Sequence, residues 1–195
     1  MARNTSSLVI DSLCDRAGVE SIAVAGLYCD FLAQQEQTTT NIVGAIVKQL
    51  VGRGGVPDHL REAFQNGKAE FGGRGPRLAD LMGMLRVVLA LSPPVFICID
   101  ALDECQPKYL AEILGCLRDI VRECPRTRIF LTGRPHISED VQRYFGAVVI
   151  PIHPNTDDIR NYVEMRLDRD AEPEAMNNDL RADIVRVILK KISNM

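Results

Sequence analysis

Four short apolar runs rich in β-branched residues, Ile22–Tyr28, Val95–Asp100, Arg128–Thr132 and Ala147–Ile152, are separated by longer stretches of helical period. Each run is short for a helix and too uniformly apolar for a strand with one face in water. Strands of this kind need a covering layer on both sides, and the intervening segments can supply it. Ser6–Arg16 repeats Leu8, Val9 and Leu13. Thr40–Val51 puts Ile42, Val43, Ile46, Val47 and Leu50 on one face behind a run of Thr that can cap it. Leu78–Leu91 and Lys108–Glu123 behave alike through Leu81, Leu85 and Val88, then Leu110, Ile113, Leu114, Leu117 and Val121. Asp157–Arg169 and Leu180–Ile192 complete the set. The alternation predicts an α/β fold, a parallel sheet with helices on both faces.

Composition removes several function classes. The apolar share of 46% excludes a disordered chain. With 5% aromatics and no Trp, little is available for base-stacking platforms or aromatic cages. A net charge of −3 argues against a protein that blankets phosphate with basic residues, so no nucleic-acid partner is expected. The six cysteines, at positions 14, 29, 98, 105, 116 and 124, contain no CxxC and match no zinc spacing. They read as small core residues. The N-terminus shows no signal-peptide pattern, and the longest apolar run, Ile22–Tyr28, is far short of the ~20 residues of a spanning helix. A soluble, cytoplasmic protein without a membrane partner is the expectation.

Two glycine-rich loops, Gly52–Pro57 and Phe71–Pro76, break the helical pattern. The second invites a phosphate-loop reading, but no strand precedes it and no Lys-Ser or Lys-Thr follows it. A helix–helix connection is the simpler reading. The polar stretch Asp170–Asn178 suggests a link, dividing the chain into a core over 1–169 and the start of a helical appendage over 170–195.

The segment Val95-Phe96-Ile97-Cys98-Ile99-Asp100-Ala101-Leu102-Asp103-Glu104 carries the most chemistry. A buried strand ends in one carboxylate and two more follow within four residues. In open parallel sheets ligands sit at the carboxyl ends of strands. Crowded carboxylates repel unless a cation lies near, as a Mg-nucleotide site would provide: one acid holding hydrated Mg²⁺, another orienting the attacking water. Alternatively, Asp103 and Glu104 simply open the next helix, where acids suit the macrodipole. The next strand runs into Gly133-Arg134-Pro135-His136. Arg134 is placed either to reach a γ-phosphate or to stand as a solvated loop residue. His59, His136 and His153 have no metal-spaced partner, and no nucleophile–base arrangement stands out.

Taken in order, these segments resemble a known family. Ile97-Cys98-Ile99-Asp100-Ala101-Leu102-Asp103-Glu104-Cys105 is similar to the Walker B segment of NACHT-type (STAND) P-loop NTPases, above all the nephrocystin-3-like N-terminal domain of large fungal NOD-like proteins. Thr132-Gly133-Arg134-Pro135 resembles their sensor-1 segment, usually Thr-Ser-Arg-Pro, a small departure at position 133. Ser6–Asp11 looks like the helix after the phosphate loop, Leu27–Phe31 like the second strand, and Asp158–Val163 like the helix after the last strand. The resemblance implies a three-layer P-loop NTPase-like sandwich with its first strand missing. It also implies a nucleotide-switch function with Mg and ATP or GTP: Asp100 holding Mg²⁺ through water, Asp103 and Glu104 positioning the attacking water, and Arg134 sensing the γ-phosphate. Protein partners would engage through flanking domains.

One departure is large. The family's G-x-x-x-x-G-K-[ST] loop should stand just before Ser6, and none of the five lysines among the 23 basic residues is followed by Ser or Thr. Four or five lost charge-assisted bonds at ~1.5–3 kcal/mol each amount to roughly 6–15 kcal/mol. A micromolar complex is held by only ~8 kcal/mol. The chain is therefore expected to bind nucleotide weakly or not at all. Its role would then be a switch core defective as written, a nucleotide-free α/β interaction scaffold, or an inactive truncation fragment. Without the phosphate-loop strand, Arg128–Thr132 and Ala147–Ile152 are expected to pair directly in a four-stranded sheet, or to leave a gap with the last strand displaced.

Overall fold

The computed structural model describes residues 5–53, 76–152, 155–169 and 177–192. The two glycine-rich loops and the polar link Asp170–Asn178 lie almost wholly outside them. The chain forms two compact units, Met1–Val149 and Ile150–Met195.

The first unit is built on strands β1 (Ala23–Tyr28), β2 (Val95–Asp100) and β3 (Thr127–Leu131). They form a three-stranded parallel sheet in the order β1-β2-β3, with Ala23 opposite Val95 and Val95 opposite Thr127. Its helices are α1 (Thr5–Ala17), α2 (Thr39–Arg53), α3 (Leu78–Leu91), α4 (Pro107–Glu123) and α5 (Ser138–Phe145).

The period of two along each strand sorts the side chains between two cores. Ala25, Val95, Ile97 and Ile99 face Ile46 of α2, Leu85 of α3 and Ile113, Leu114 and Leu117 of α4, all buried. Val24 and Cys98 face the other way, against Ile10 and Leu13 of α1. The result is a mixed α/β, three-layer sandwich with helices on both faces. Gly26 is what lets α1 approach, because a Cβ there would stand 3.2 Å from the Ile10 side chain. On the opposite layer, Thr39 donates to Glu112 and Arg86 pairs with Glu123, tying α2 and α3 to α4.

Among the described residues β1 is an edge strand, and the backbone of Gly26 on its open edge is met by a side chain. The Gln49 amide of α2 accepts from Gly26 N–H at 3.0 Å and donates to Gly26 C=O at 2.8 Å, as a neighbouring strand would.

The expected fourth strand is absent. Residues 146–152 have no regular structure, and Val148 is 89% exposed. β-Branched residues favour strands only where a partner edge offers its N–H and C=O groups, and Pro151 removes a ladder donor from the run. Short helix α5, which the periodicity does not foreshadow, precedes this segment and ends at Gly146 in the left-handed region (φ 55°).

The second unit contains helices α6 (Thr156–Leu167) and α7 (Asn178–Ile192). Asn155 caps α6 by accepting from Asp157 N–H at 3.1 Å. Arg181 of α7 donates to the Glu164 carbonyl at 3.2 Å and pairs with Asp168. None of the described helices is long and apolar enough to cross a membrane.

Candidate functional site

At the carboxyl end of β2 the chain makes an abrupt turn. Ala101 takes φ 53° and ψ 45°, the only positive φ of a non-glycine among the described residues. Such a conformation costs about 1–2 kcal/mol and persists only where the surroundings enforce it. Here the end of β3 does so. Ala101 N–H donates to the Thr132 hydroxyl at 3.0 Å, and Leu102 N–H donates to the Thr132 carbonyl at 2.9 Å. Leu102, fully buried, anchors a single 3₁₀ turn, Leu102–Glu104. The acids at 103 and 104 therefore belong to this turn. Helix α4 starts three residues later, at Pro107.

The four residues singled out by sequence come together here. The Thr132 hydroxyl donates to Asp100 Oδ1. Asp103, with its side chain 4% exposed, accepts the Arg134 backbone N–H on Oδ1 at 3.1 Å. The Arg134 guanidinium bridges both neighbouring acids: Nη2 lies 2.6 Å from Glu104 Oε1 and Nε lies 3.4 Å from Asp103 Oδ2. That longer contact is a charge interaction without a hydrogen bond, which leaves Asp103 Oδ2 buried and unsatisfied. The loop-to-loop clamp thus holds three carboxylates and one guanidinium.

Gly133 matters more than its small size suggests. A Cβ there would fall 2.5 Å from Ile137 Cδ1 and 3.2 Å from Asp103 Oδ1. Glycine lets the β3 loop lie against both groups. Thr132, to which the sequence assigns no role, supplies the contacts to Asp100 and Ala101. Its place at the end of the Arg128–Thr132 run, next after the acidic strand in chain order, is the signal that the sequence offers for it.

Beside the clamp, Cys29 follows β1 and Cys105 closes the acidic turn. Their sulfurs stand 3.2 Å apart, and Gln37 Oε1 is 3.6 Å from Cys105 Sγ. Contact with Cys105, then burial, pushes the Cys29 thiol well up. The same contact lowers the Cys105 thiol below its ordinary value.

One oxygen of each acid is taken up by the protein's own groups. Asp100 Oδ1, Asp103 Oδ1 and Glu104 Oε1 are engaged within the protein. No group of three or more His, Cys, Asp or Glu side chains among the described residues is arranged to hold a metal ion. On the phosphate side, these 195 residues contain no Lys followed by Ser or Thr.

Residues 5–134 match the family described as nephrocystin 3, N-terminal. That span opens with α1, contains all three strands and closes on Arg134. No curated protein and no solved structure matches the chain.

Proposed function

Because this chain belongs to the nephrocystin 3 N-terminal family, associated with NACHT-type (STAND) proteins, we propose that it serves as a nucleotide-free α/β interaction scaffold. The acidic strand end then acts as a structural clamp between the loops after β2 and β3. The observation that carries this reading is the pairing of Arg134 with Asp103 and Glu104, which supplies internally the positive charge the cluster requires. Asp100 is likewise taken up by Thr132. A scaffold of this kind works through the surfaces its packed layers hold rigid, with protein partners engaged there or through flanking domains.

A second reading, a nucleotide-switch core, draws support from one feature. Asp100, Asp103, Glu104 and Arg134 all lie at the carboxyl ends of parallel strands, where such sheets bind ligands. Isothermal titration with Mg-ATP and with Mg-GTP separates the two. The scaffold reading expects no binding tighter than about 100 μM. Tighter binding that Asp100→Asn abolishes would overturn it and favour a P-loop NTPase-like switch with these four residues facing the nucleotide.

A further inference from the structure

Cys29 and Cys105 are 76 residues apart in the chain, yet the fold brings them into contact. β1 and β2 run in register with Tyr28 opposite Asp100, and the Cys29 N–H extends the ladder by donating to the Asp100 carbonyl at 2.9 Å. The backbone therefore fixes the two loops side by side. A sulfur–sulfur distance of 3.2 Å needs to shorten by only about 1 Å to reach bonding distance, within the reach of small side-chain rotations. Access differs between the two. Cys29 is half-buried at the end of an edge strand, while Cys105 is 3% exposed behind it.

We propose that Cys29 and Cys105 form a redox-modification site, a dithiol that a small hydroperoxide closes to a disulfide joining the end of β1 to the acidic turn. The electrons balance with the peroxide as sole oxidant. The Cys29 sulfur, the more accessible of the two, gives its proton to solvent and attacks one peroxide oxygen; the O–O bond breaks, and the departing oxygen leaves as water after taking a proton from solvent. Cys29 is then a sulfenic acid. The Cys105 sulfur attacks the Cys29 sulfur, the S–S bond forms, the S–O bond breaks, and the Cys105 proton leaves with hydroxide as a second water. Two thiols lose two electrons and one peroxide gains them. The 3.2 Å contact puts Cys105 in place for that second attack, and its lowered thiol suits it.

The product would join the loop after β1 covalently to the turn that presents Asp103 and Glu104. Oxidation would thus tie the loop after β1 to the acidic turn, and a dithiol reductant would undo that tie.

The test is disulfide mapping of the full chain after treatment with hydrogen peroxide, alkylation of remaining thiols, and digestion without reductant. The expected result is one cross-linked peptide containing Cys29 and Cys105, about 2 Da lighter than the two reduced peptides together. Dithiothreitol should remove it. In Cys105→Ser the cross-link disappears and the more accessible Cys29 becomes trappable by dimedone as a sulfenic acid. Recovery of both cysteines as alkylated thiols while other cysteines oxidise would overturn the proposal. So would bridging of either one to a different cysteine. The unmodified chain decides the matter by itself if the serine variant fails to fold.

Discussion

Arg134→Ala is the sharpest perturbation of the clamp. It leaves Asp103 a buried carboxylate, 4% exposed, with the Arg134 backbone N–H as its remaining partner. Breaking one side of a fully buried ion pair costs about 3–5 kcal/mol. Arg134 itself is 68% exposed, so solvent screens its half and that figure must be discounted. Losing the charge contact with Asp103, which carries no hydrogen bond, costs about 1–3 kcal/mol after that discount. Losing the more open Glu104 contact adds about 0.2–1 kcal/mol. The expected loss at pH 7 is therefore roughly 1.2–4 kcal/mol. Urea unfolding followed by far-ultraviolet circular dichroism is the assay, since the chain has no Trp to report by fluorescence. The decisive comparison is a cycle with Asp103→Asn and Glu104→Gln. In that neutral background Arg134→Ala should cost less than about 0.5 kcal/mol. An equal cost in both backgrounds, or no cost in the parent, would refute the clamp.

Three further outcomes follow from the packing. Gly133→Ala places a Cβ against Ile137 and should destabilise by about 1–3 kcal/mol, with partial rescue by Ile137→Val, both read by urea midpoint. Gln49→Leu strips Gly26 of its two edge partners. It should cost about 1–3 kcal/mol and produce concentration-dependent association by light scattering. Burial pushes the Cys98 thiol up to about 11 from an ordinary 9.0. The unfolded chain therefore releases that proton first, and stability should fall as pH rises from about 9 to about 11. Cys98→Ala should flatten that part of the pH profile, and an unchanged slope would sink the assignment.

The parts of the fold legible in the sequence are those whose signal is local. β2 was readable from Val95 to Asp100 because a fully apolar run stops abruptly at a carboxylate, and the structure ends the strand there. The helices from Leu78 and from Pro107 were readable because their apolar spacing holds over several turns. Ala147–Ile152 shows where such reasoning fails. Its β-branched residues announce a strand, but a strand exists only with a partner edge, which a one-dimensional pattern does not contain. Helix α5 spans eight residues, too few for its period to stand out.

The site divides in the same way. Sequence spacing already grouped Asp100, Asp103 and Glu104, and placed Arg134 on the following strand's loop. What it left out is which of these touch. Thr132 reaches Asp100 across 32 positions, and Arg134 reaches Glu104 across 30. The contact of Cys29 with Cys105 and that of Gln49 with Gly26 depend equally on strand register and helix placement. Register is a property of the assembled sheet and leaves no mark on either residue alone.

The most direct test of the central claim is the urea unfolding midpoint of the chain with and without about 1 mM Mg-ATP. A ligand bound with a dissociation constant of 100 μM would add about 1.4 kcal/mol at that concentration. A clamp that supplies its own counter-charge predicts coincident curves in the two solutions. A midpoint raised by the equivalent of about 1 kcal/mol or more, and lost in Asp100→Asn, would contradict it.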